Sequence, residues 1–178
     1  MTMAKRTILI TGGSRGIGAA IAHEFAAAGD RVAVHYSSAA ADAQGVVDSL
    51  AGSGHIIVQA DLRNPDAIKA MVDSVAKEFG VIDVLINNAG VFFDHPIESS
   101  TYEQWQQAWA DTLGVNLIGA ANVTWCALQH MPKNATSRIV NIGSRGAFRG
   151  EPVSPLPMGH QRLPLLPLGT RSPKPWHL

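Results

Sequence analysis

A glycine-rich turn directly follows the first apolar run of the chain and constrains the fold more than any other sequence feature. The run Arg6-Thr7-Ile8-Leu9-Ile10 is typical of a buried strand, and residues 19–25 are typical of a helix. Thr11-Gly12-Gly13-Ser14-Arg15-Gly16-Ile17-Gly18 lies between them. A strand, a tight glycine turn and a helix in this order predict a loop whose backbone N–H groups meet a phosphate. The same order is also compatible with a plain strand-to-helix turn.

The spacing of the glycines distinguishes between classes of phosphate-binding loop. The pattern is Gly-x-x-x-Gly-x-Gly over Gly12, Gly16 and Gly18, and no Gly-Lys-Ser/Thr follows it. A P-loop needs that lysine and hydroxyl, so we do not expect a P-loop nucleotidase. The pattern favours a dinucleotide whose pyrophosphate lies on the N-terminus of the helix.

Strands and helices alternate along the rest of the chain. Further apolar runs typical of strands occur at 31–36, 54–60, 81–86 and 138–142. Apolar residues at helical spacing predict helices at 39–51, 65–79, 102–113 and 115–131. This alternation predicts an α/β fold with a doubly wound parallel sheet, in which ligands bind at the carboxyl ends of the strands.

Composition excludes several function classes. The 178 residues are 46% hydrophobic, enough for one domain with a core, and 14 basic residues balance 14 acidic ones. No basic surface is expected, so we expect neither a nucleic-acid partner nor a membrane partner. The single cysteine, Cys126, lies in an apolar stretch, where a buried inert thiol is expected. We expect a cytoplasmic protein without a metal site.

Several motifs, taken in their order, resemble the short-chain dehydrogenase/reductase family along residues 7–152. They are the glycine loop, Asp61-Leu62, Asn87-Asn88-Ala89-Gly90, Asn116 and Ser144. The resemblance implies a Rossmann fold and an NAD(P) site. The implied cofactor-binding residues are Gly12, Ser14, Arg15, Gly16, Ile17, Gly18, Ser37, Asp61, Leu62, Asn88, Ala89 and Gly90.

The resemblance also implies a role for each motif. It implies that Asp61 and Leu62 contact adenine, while Asn88 is the better candidate for the ribose. It implies that Asn116 holds a water of the proton relay and that Ser144 is the catalytic serine. Three of them have a structural alternative: a cap at Asp61, a satisfied core amide at Asn116 and an ordinary turn serine at Ser144. For Asn87 we favour hydrogen bonding to backbone at a strand end.

The region after the second strand indicates which nicotinamide cofactor binds. NAD enzymes usually place an acid there for the ribose 2′-hydroxyl, whereas this chain has His35-Tyr36-Ser37-Ser38. Arg15 can pair with a 2′-phosphate through charge-assisted bonds. We therefore favour NADP(H) over NAD(H), with Arg15 and Ser37 contacting that phosphate. The alternative is that Arg15 is merely solvated.

The reaction implied by the resemblance is hydride transfer between NADP(H) and a carbonyl or secondary alcohol, in the manner of 3-oxoacyl-carrier-protein reductases. That chemistry depends on a Tyr-x-x-x-Lys pair that begins thirteen residues after the serine. This position is Pro157, and the only tyrosines are Tyr36 and Tyr102. We therefore expect turnover near background. The alternatives are a non-catalytic dinucleotide-binding module and a non-functional truncated product.

The composition changes near residue 153. Seven of the ten prolines lie from Pro152 onward, and residues 153–178 have no periodicity. Read from the third base of each codon, residues 155–164 permit Pro-Ala-Tyr-Gly-Ala-Ser-Lys. We therefore predict a Rossmann domain at 1–152, truncated after the fifth strand, and a frameshifted tail at 153–178. A natural Pro-rich tail is the alternative. The homo-oligomer typical of the family is doubtful for such a chain.

Overall fold

The computed structural model describes residues 5–133 and 137–144, and these form a five-stranded parallel sheet. The strands are β1 (Thr7–Ile10), β2 (Arg31–Tyr36), β3 (Ile56–Gln59), β4 (Val84–Asn87) and β5 (Arg138–Asn141). Their order in the sheet is β3-β2-β1-β4-β5. β2 and β3 thus lie on one side of β1, and β4 and β5 lie on the other. This is the Rossmann-like, doubly wound α/β fold that the sequence predicts.

The helices cover both faces of this sheet. They are α1 (Gly16–Ala27), α2 (Ala40–Ser49), α3 (Pro65–Phe79), α4 (Tyr102–Leu113) and α5 (Ala120–Leu128). A π-helical segment, Gly114–Gly119, joins α4 to α5. The capping signals at α3 are those expected, since the Asn64 side chain accepts hydrogen bonds from the Asp66 and Ala67 amides and Gly80 follows the last turn at φ 87°.

Some predicted boundaries are wrong. The helix predicted at 115–131 is a π-helical segment followed by a shorter α-helix. The fourth strand begins at Val84 rather than at residue 81, because the Ile82 amide bonds to the His130 carbonyl instead of entering the sheet. The third strand is shorter than predicted, since Gly54 has φ +84°. The tail predicted at 153–178 lies outside the described residues.

Two cores lie on opposite faces of the sheet. Alternate residues of β1 point to opposite faces, so that Leu9 packs with α3 and α5 while Ile8 and Ile10 pack with α1 and α2. All three side chains are fully buried, as expected for the central strand of a covered parallel sheet. Cys126 is buried in the first core, and burial raises the pKa of its thiol. This confirms the burial expected for the cysteine.

β5 differs from the other strands because its side chains are exposed. All four of its residues are exposed, including Ile139 and Val140. Within residues 5–133 and 137–144, β5 pairs with β4 on one side, and the other edge of β5 has no partner strand. The helices of the described part of the chain include none that is long and apolar enough to cross a membrane.

Candidate cofactor site at the carboxyl ends of the strands

The sheet register brings the ends of all five strands to one edge. Ile10 pairs with Val34 on one side and with Ile86 on the other. Asn87 pairs with Asn141, and Tyr36 pairs with Gln59. The loops that follow the strands therefore meet at this edge, where the predicted site residues lie at 12–18, 37, 61–62, 88–90 and 144.

Two glycines of the first loop allow close backbone packing. Gly12 has φ +63°, and a Cβ placed there would lie 2.8 Å from the Ala89 Cα. A Cβ on Gly18 would lie 2.3 Å from the Gly12 carbonyl oxygen and 2.6 Å from the Asn88 amide nitrogen. Any side chain at either position would force the loop away from β4. The first loop and the loop after β4 are thus one packed unit.

Gly16 differs from these glycines, since a Cβ there would meet nothing within 4 Å. Gly16 has φ +56° and is the first residue of α1. The space beside it opens toward the N-terminus of that helix. Its requirement for glycine is therefore conformational, and the open space is available to a ligand.

The N-terminus of α1 offers uncapped backbone donors. Arg15 occupies the N-cap position and makes no side-chain capping bond. The Ala19 amide donates the first bond of the helix, to the Arg15 carbonyl at 3.3 Å. The amides of residues 16–18 precede that bond and have no acceptor within the described part of the chain. Uncapped N–H groups and the positive end of the helix dipole fit a pyrophosphate.

Thr11 and Asn88 lock the glycine loop to the end of β4. The Thr11 hydroxyl oxygen accepts bonds from the amides of Asn88 and Ala89, each at 3.0 Å. The Asn88 side-chain amide donates to the carbonyl oxygens of Thr11 and Gly12, also at 3.0 Å. Its two N–H donors are therefore committed to the loop. The Asn88 Oδ1 oxygen is left to accept a bond from a ligand hydroxyl.

His35 is a residue of this site that sequence reasoning did not assign. Its side chain is buried at the end of β2, where Nδ1 accepts a bond from the Gly12 amide and Nε2 donates to the Ala60 carbonyl, both at 3.0 Å. Only the neutral ring protonated at Nε2 satisfies both partners. Burial lowers the pKa of His35 accordingly. The available signal was an ionisable residue inside the buried run Val32-Ala33-Val34.

The ends of β1 and β2 leave Arg15 and Ser37 exposed. Both side chains lie at the edge of the site, and Arg15 makes no ion pair with the described carboxylates. Residues 37–41 carry no carboxylate, and Asp42 is the first acid, in the first turn of α2. A guanidinium and a hydroxyl are therefore available to an anionic group here.

Asp61 and Leu62 follow β3 and face in different directions. The Leu62 side chain is buried in the core, so only its main chain could meet a ligand. The Asp61 carboxylate is half-exposed and accepts bonds from the Arg63 side chain at 2.7–3.1 Å. Bonds from that side chain, and then from the Arg63 amide, hold the pKa of Asp61 below its usual range. Asp61 is thus an ionised acceptor near neutral pH.

Asn116 lies in the π-helical segment, and its side chain forms two hydrogen bonds with the backbone of Val91. Its Oδ1 accepts from the Val91 amide and its Nδ2 donates to the Val91 carbonyl, both at 2.8 Å. A Cβ on Gly90 would lie 3.7 Å from that oxygen. The side chain is therefore a satisfied amide that positions the loop after β4, which was the structural alternative for this residue.

Asn87 ties β4 to β5 and α5. Its Nδ2 donates to the Asn141 Oδ1 and to the Thr124 hydroxyl, both at 2.9 Å. Its partners are side chains, so the backbone partners that we expected are wrong, although the structural role stands. The Ile142 amide continues the pairing by donating to the Asn87 carbonyl at 2.9 Å. These bonds fix the end of β5, and Ser144 follows it in a half-buried position.

The geometry agrees with a family comparison. A family model described as short chain dehydrogenase matches residues 6–156. The chain belongs to the short-chain dehydrogenase family. The matched region contains every motif on which the resemblance rested, from the glycine loop to Ser144.

Relatives and solved structures of the family extend this finding. The chain is 35% identical to a 3-oxoacyl-(acyl-carrier-protein) reductase of Staphylococcus aureus over 149 residues, which are 83% of this chain and 59% of the relative. It is 39% identical to the corresponding reductase of a Synechocystis species over 147 residues, 81% of this chain and 58% of the relative. The chain thus spans about three fifths of the length of these relatives.

Two similar structures contain a nicotinamide cofactor. A short chain dehydrogenase of Burkholderia cenocepacia in complex with NADP has a TM-score of 0.72 and 38% identity, over 84% of this chain and 59% of that one. A blue fluorescent protein from a metagenomic library, in complex with NADPH, has a TM-score of 0.75 and 32% identity, over 86% of this chain and 62% of that one.

Proposed function

We propose that this chain is the cofactor-binding part of an NADP(H)-dependent oxidoreductase. The observation that carries the proposal is the uncapped N-terminus of α1 beside a loop in which a Cβ at Gly12 or Gly18 would collide with backbone. The loop leaves open space only at Gly16, next to the free amides. The two similar structures that hold NADP or NADPH support the same conclusion.

Each group of the site, main chain or side chain, has a distinct role in this proposal. The amides of residues 16–18 would hold the pyrophosphate, with Ser14 and Ile17 bordering it. The Asn88 oxygen would accept a bond from a ribose hydroxyl, beside the backbone of Ala89 and Gly90. Asp61 and the Leu62 main chain would contact adenine. Arg15 and Ser37 would contact the 2′-phosphate, which favours NADP(H) over NAD(H).

The chemistry supplied by the bound cofactor is hydride transfer to a carbonyl or from a secondary alcohol. Ser144 would hold the substrate oxygen, and the Asn116 segment would position the neighbouring loop. We propose turnover near background, because the sequence contains no Tyr-x-x-x-Lys to move the proton. The domain division at residue 152 and the frameshift after about residue 153 remain part of this proposal. A non-catalytic dinucleotide-binding module is the second candidate, favoured by that missing pair.

Binding of the two cofactors by wild type and Arg15→Ala tests the cofactor assignment. NADPH should bind tighter than NADH to wild type. Arg15→Ala should weaken NADPH binding by about tenfold and leave NADH unchanged, because a single charge-assisted contact is lost. Fluorescence titration of the purified 178-residue protein measures both constants. Equal effects on the two cofactors would refute the role of Arg15. Brisk NADPH oxidation with a 3-oxoacyl thioester would refute the expected loss of turnover.

A further inference from the structure

One arginine connects the loop after β3 to helix α4. Arg63 Nη2 lies 2.7 Å from Asp61 Oδ2, and Arg63 Nη1 lies 2.7 Å from Asp111 Oδ1. Its Nε lies 3.0 Å from Asp61 Oδ1 and 3.1 Å from Asp61 Oδ2. The guanidinium thus spans two carboxylates that are 50 residues apart in the sequence, on different elements.

Backbone contacts hold the same loop against the helical layer. A Cβ on Gly114 would lie 3.2 Å from the Arg63 Cγ, so the stem of Arg63 packs on the start of the π-helical segment. A Cβ on Gly119 would lie 2.6 Å from the Leu62 carbonyl oxygen at the other end of that segment. The Arg63 amide donates to Asp61 Oδ1 at 2.9 Å, and the Asn64 amide donates to the Asp61 carbonyl at 2.9 Å. The loop therefore has one defined conformation.

These contacts leave one acceptor position on Asp61 open. Three N–H groups of Arg63 reach the carboxylate: the amide donates to Oδ1, Nη2 donates to Oδ2, and Nε is shared between the two oxygens at 3.0 and 3.1 Å. An ionised carboxylate offers about four lone-pair positions, so one more donor can be accepted, on the side of Oδ2. The Asp61 side chain is 43% exposed, which leaves that position accessible. Arg63 is itself 49% exposed, and exposed ion pairs contribute little to stability, so the main consequence of the pair is the fixed orientation of Asp61.

We propose that Arg63 is a positioning residue that aims Asp61 Oδ2 at the exocyclic amino group of the cofactor's adenine. Asp111 anchors the guanidinium from α4, so the adenine contact depends on a residue of the helical layer. This inference rests on the proposed cofactor function. Arg63 does not touch the reacting atoms, and it acts only through the orientation of Asp61.

The test compares NADPH with its hypoxanthine analogue, in which an oxo group replaces the amino group. Wild type should bind NADPH about tenfold tighter than the analogue, since the analogue turns a donor to the carboxylate into an acceptor. Arg63→Met keeps the stem but removes the fork, and the ratio of the two dissociation constants should fall to about two. Asp111→Asn should give an intermediate ratio. Arg63→Lys should not restore the wild-type ratio, because its rotatable ammonium lacks the planar fork that fixes the orientation of the carboxylate.

Lys69→Met is the matched control, since it removes another surface ion pair, with Asp73, on α3. It should keep the tenfold ratio. The positioning role would be overturned if Arg63→Met kept the wild-type ratio of the two dissociation constants, or bound NADPH and the analogue equally more weakly. The proposal that the chain binds NADPH would still stand. If Arg63→Met does not fold, Asp111→Asn replaces it, and a wild-type ratio in that variant would overturn the positioning role. Failure of wild type to bind either cofactor would instead overturn the proposed function and this inference together. Without cofactor, an NMR titration should show the pKa of Asp61 rising in Arg63→Met.

Discussion

At the scale of single residues, the site is held by side chains whose partners are main-chain groups. Asn88 and Thr11 bond the carbonyls and amides of the neighbouring loop, and His35 bridges Gly12 and Ala60. The sequence could indicate Gly12 and Asn88, because few residue types serve a backbone turn or a strand end of this kind. For His35 the sequence offered only an ionisable residue beside a buried run, since both of its partners lie in loops that follow other strands.

The buried neutral ring of His35 predicts a stability that falls in acid. The folded protein disfavours the charged ring, whose pKa is lowered, whereas the unfolded chain binds a proton below about pH 6.5. The stabilisation is therefore complete above that pH and is lost progressively as the pH falls below it. Urea unfolding at a series of pH values should show this slope in wild type. His35→Phe should unfold more easily throughout and lack that part of the slope. The same slope in both proteins would contradict the assignment.

Two glycine substitutions should have opposite effects on stability. Gly18→Ala places a Cβ 2.3 Å from a backbone oxygen and should destabilise the protein by about 2 kcal/mol or more. Gly45→Ala lies inside α2, where a Cβ would meet nothing within 4 Å, and should stabilise it by about 0.5–1 kcal/mol. Denaturant unfolding measures both changes. A neutral Gly18→Ala would show that the loop does not need this close packing.

At the scale of elements, the sequence predicts the order of strands and helices better than their ends. The helix after residue 114 shows why. Its apolar spacing is compatible with a continuous α-helix, but Asn116 bonds the Val91 backbone and Gly119 packs on the Leu62 carbonyl, and the helix there is of the π type. Such a change arises from contacts with other elements. Similarly, Val81 has strand propensity, yet β4 begins only at Val84.

The hydrogen bond between Thr124 and Asn87 predicts how α5 supports the sheet. Thr124→Val removes the hydroxyl that accepts from a buried amide and should destabilise the protein by about 1–2 kcal/mol. Thr124→Ser keeps the hydroxyl and should cost less. Thermal unfolding of the two variants measures the difference. If the valine variant is as stable as the serine variant, the bond does not hold these elements together.

For the described part of the chain taken together, the five-stranded sheet ends in a strand whose side chains are exposed. The fold class could be predicted because strands alternate with helices and the glycine turn marks the first crossover. The position of the candidate site could be predicted from the fold class, since the carboxyl ends of parallel strands meet at one edge of the sheet. β5 is exposed, as are Leu117, Ile118, Trp125 and Leu128 on the helical layer.

We expect the N-terminus of α1 to bind the pyrophosphate of NADPH, and a titration of Gly16 variants can show whether it does. Wild type, Gly16→Asn and Gly16→Asp are titrated with NADPH under identical conditions. Both substitutions have similar size and tolerate φ +56°, so they differ mainly in charge. We expect saturable binding to wild type, a modest loss in Gly16→Asn, and a further loss of at least about tenfold in Gly16→Asp, because its carboxylate repels phosphate. Equal binding by the two variants, or no binding by wild type, would show that this N-terminus does not hold the pyrophosphate.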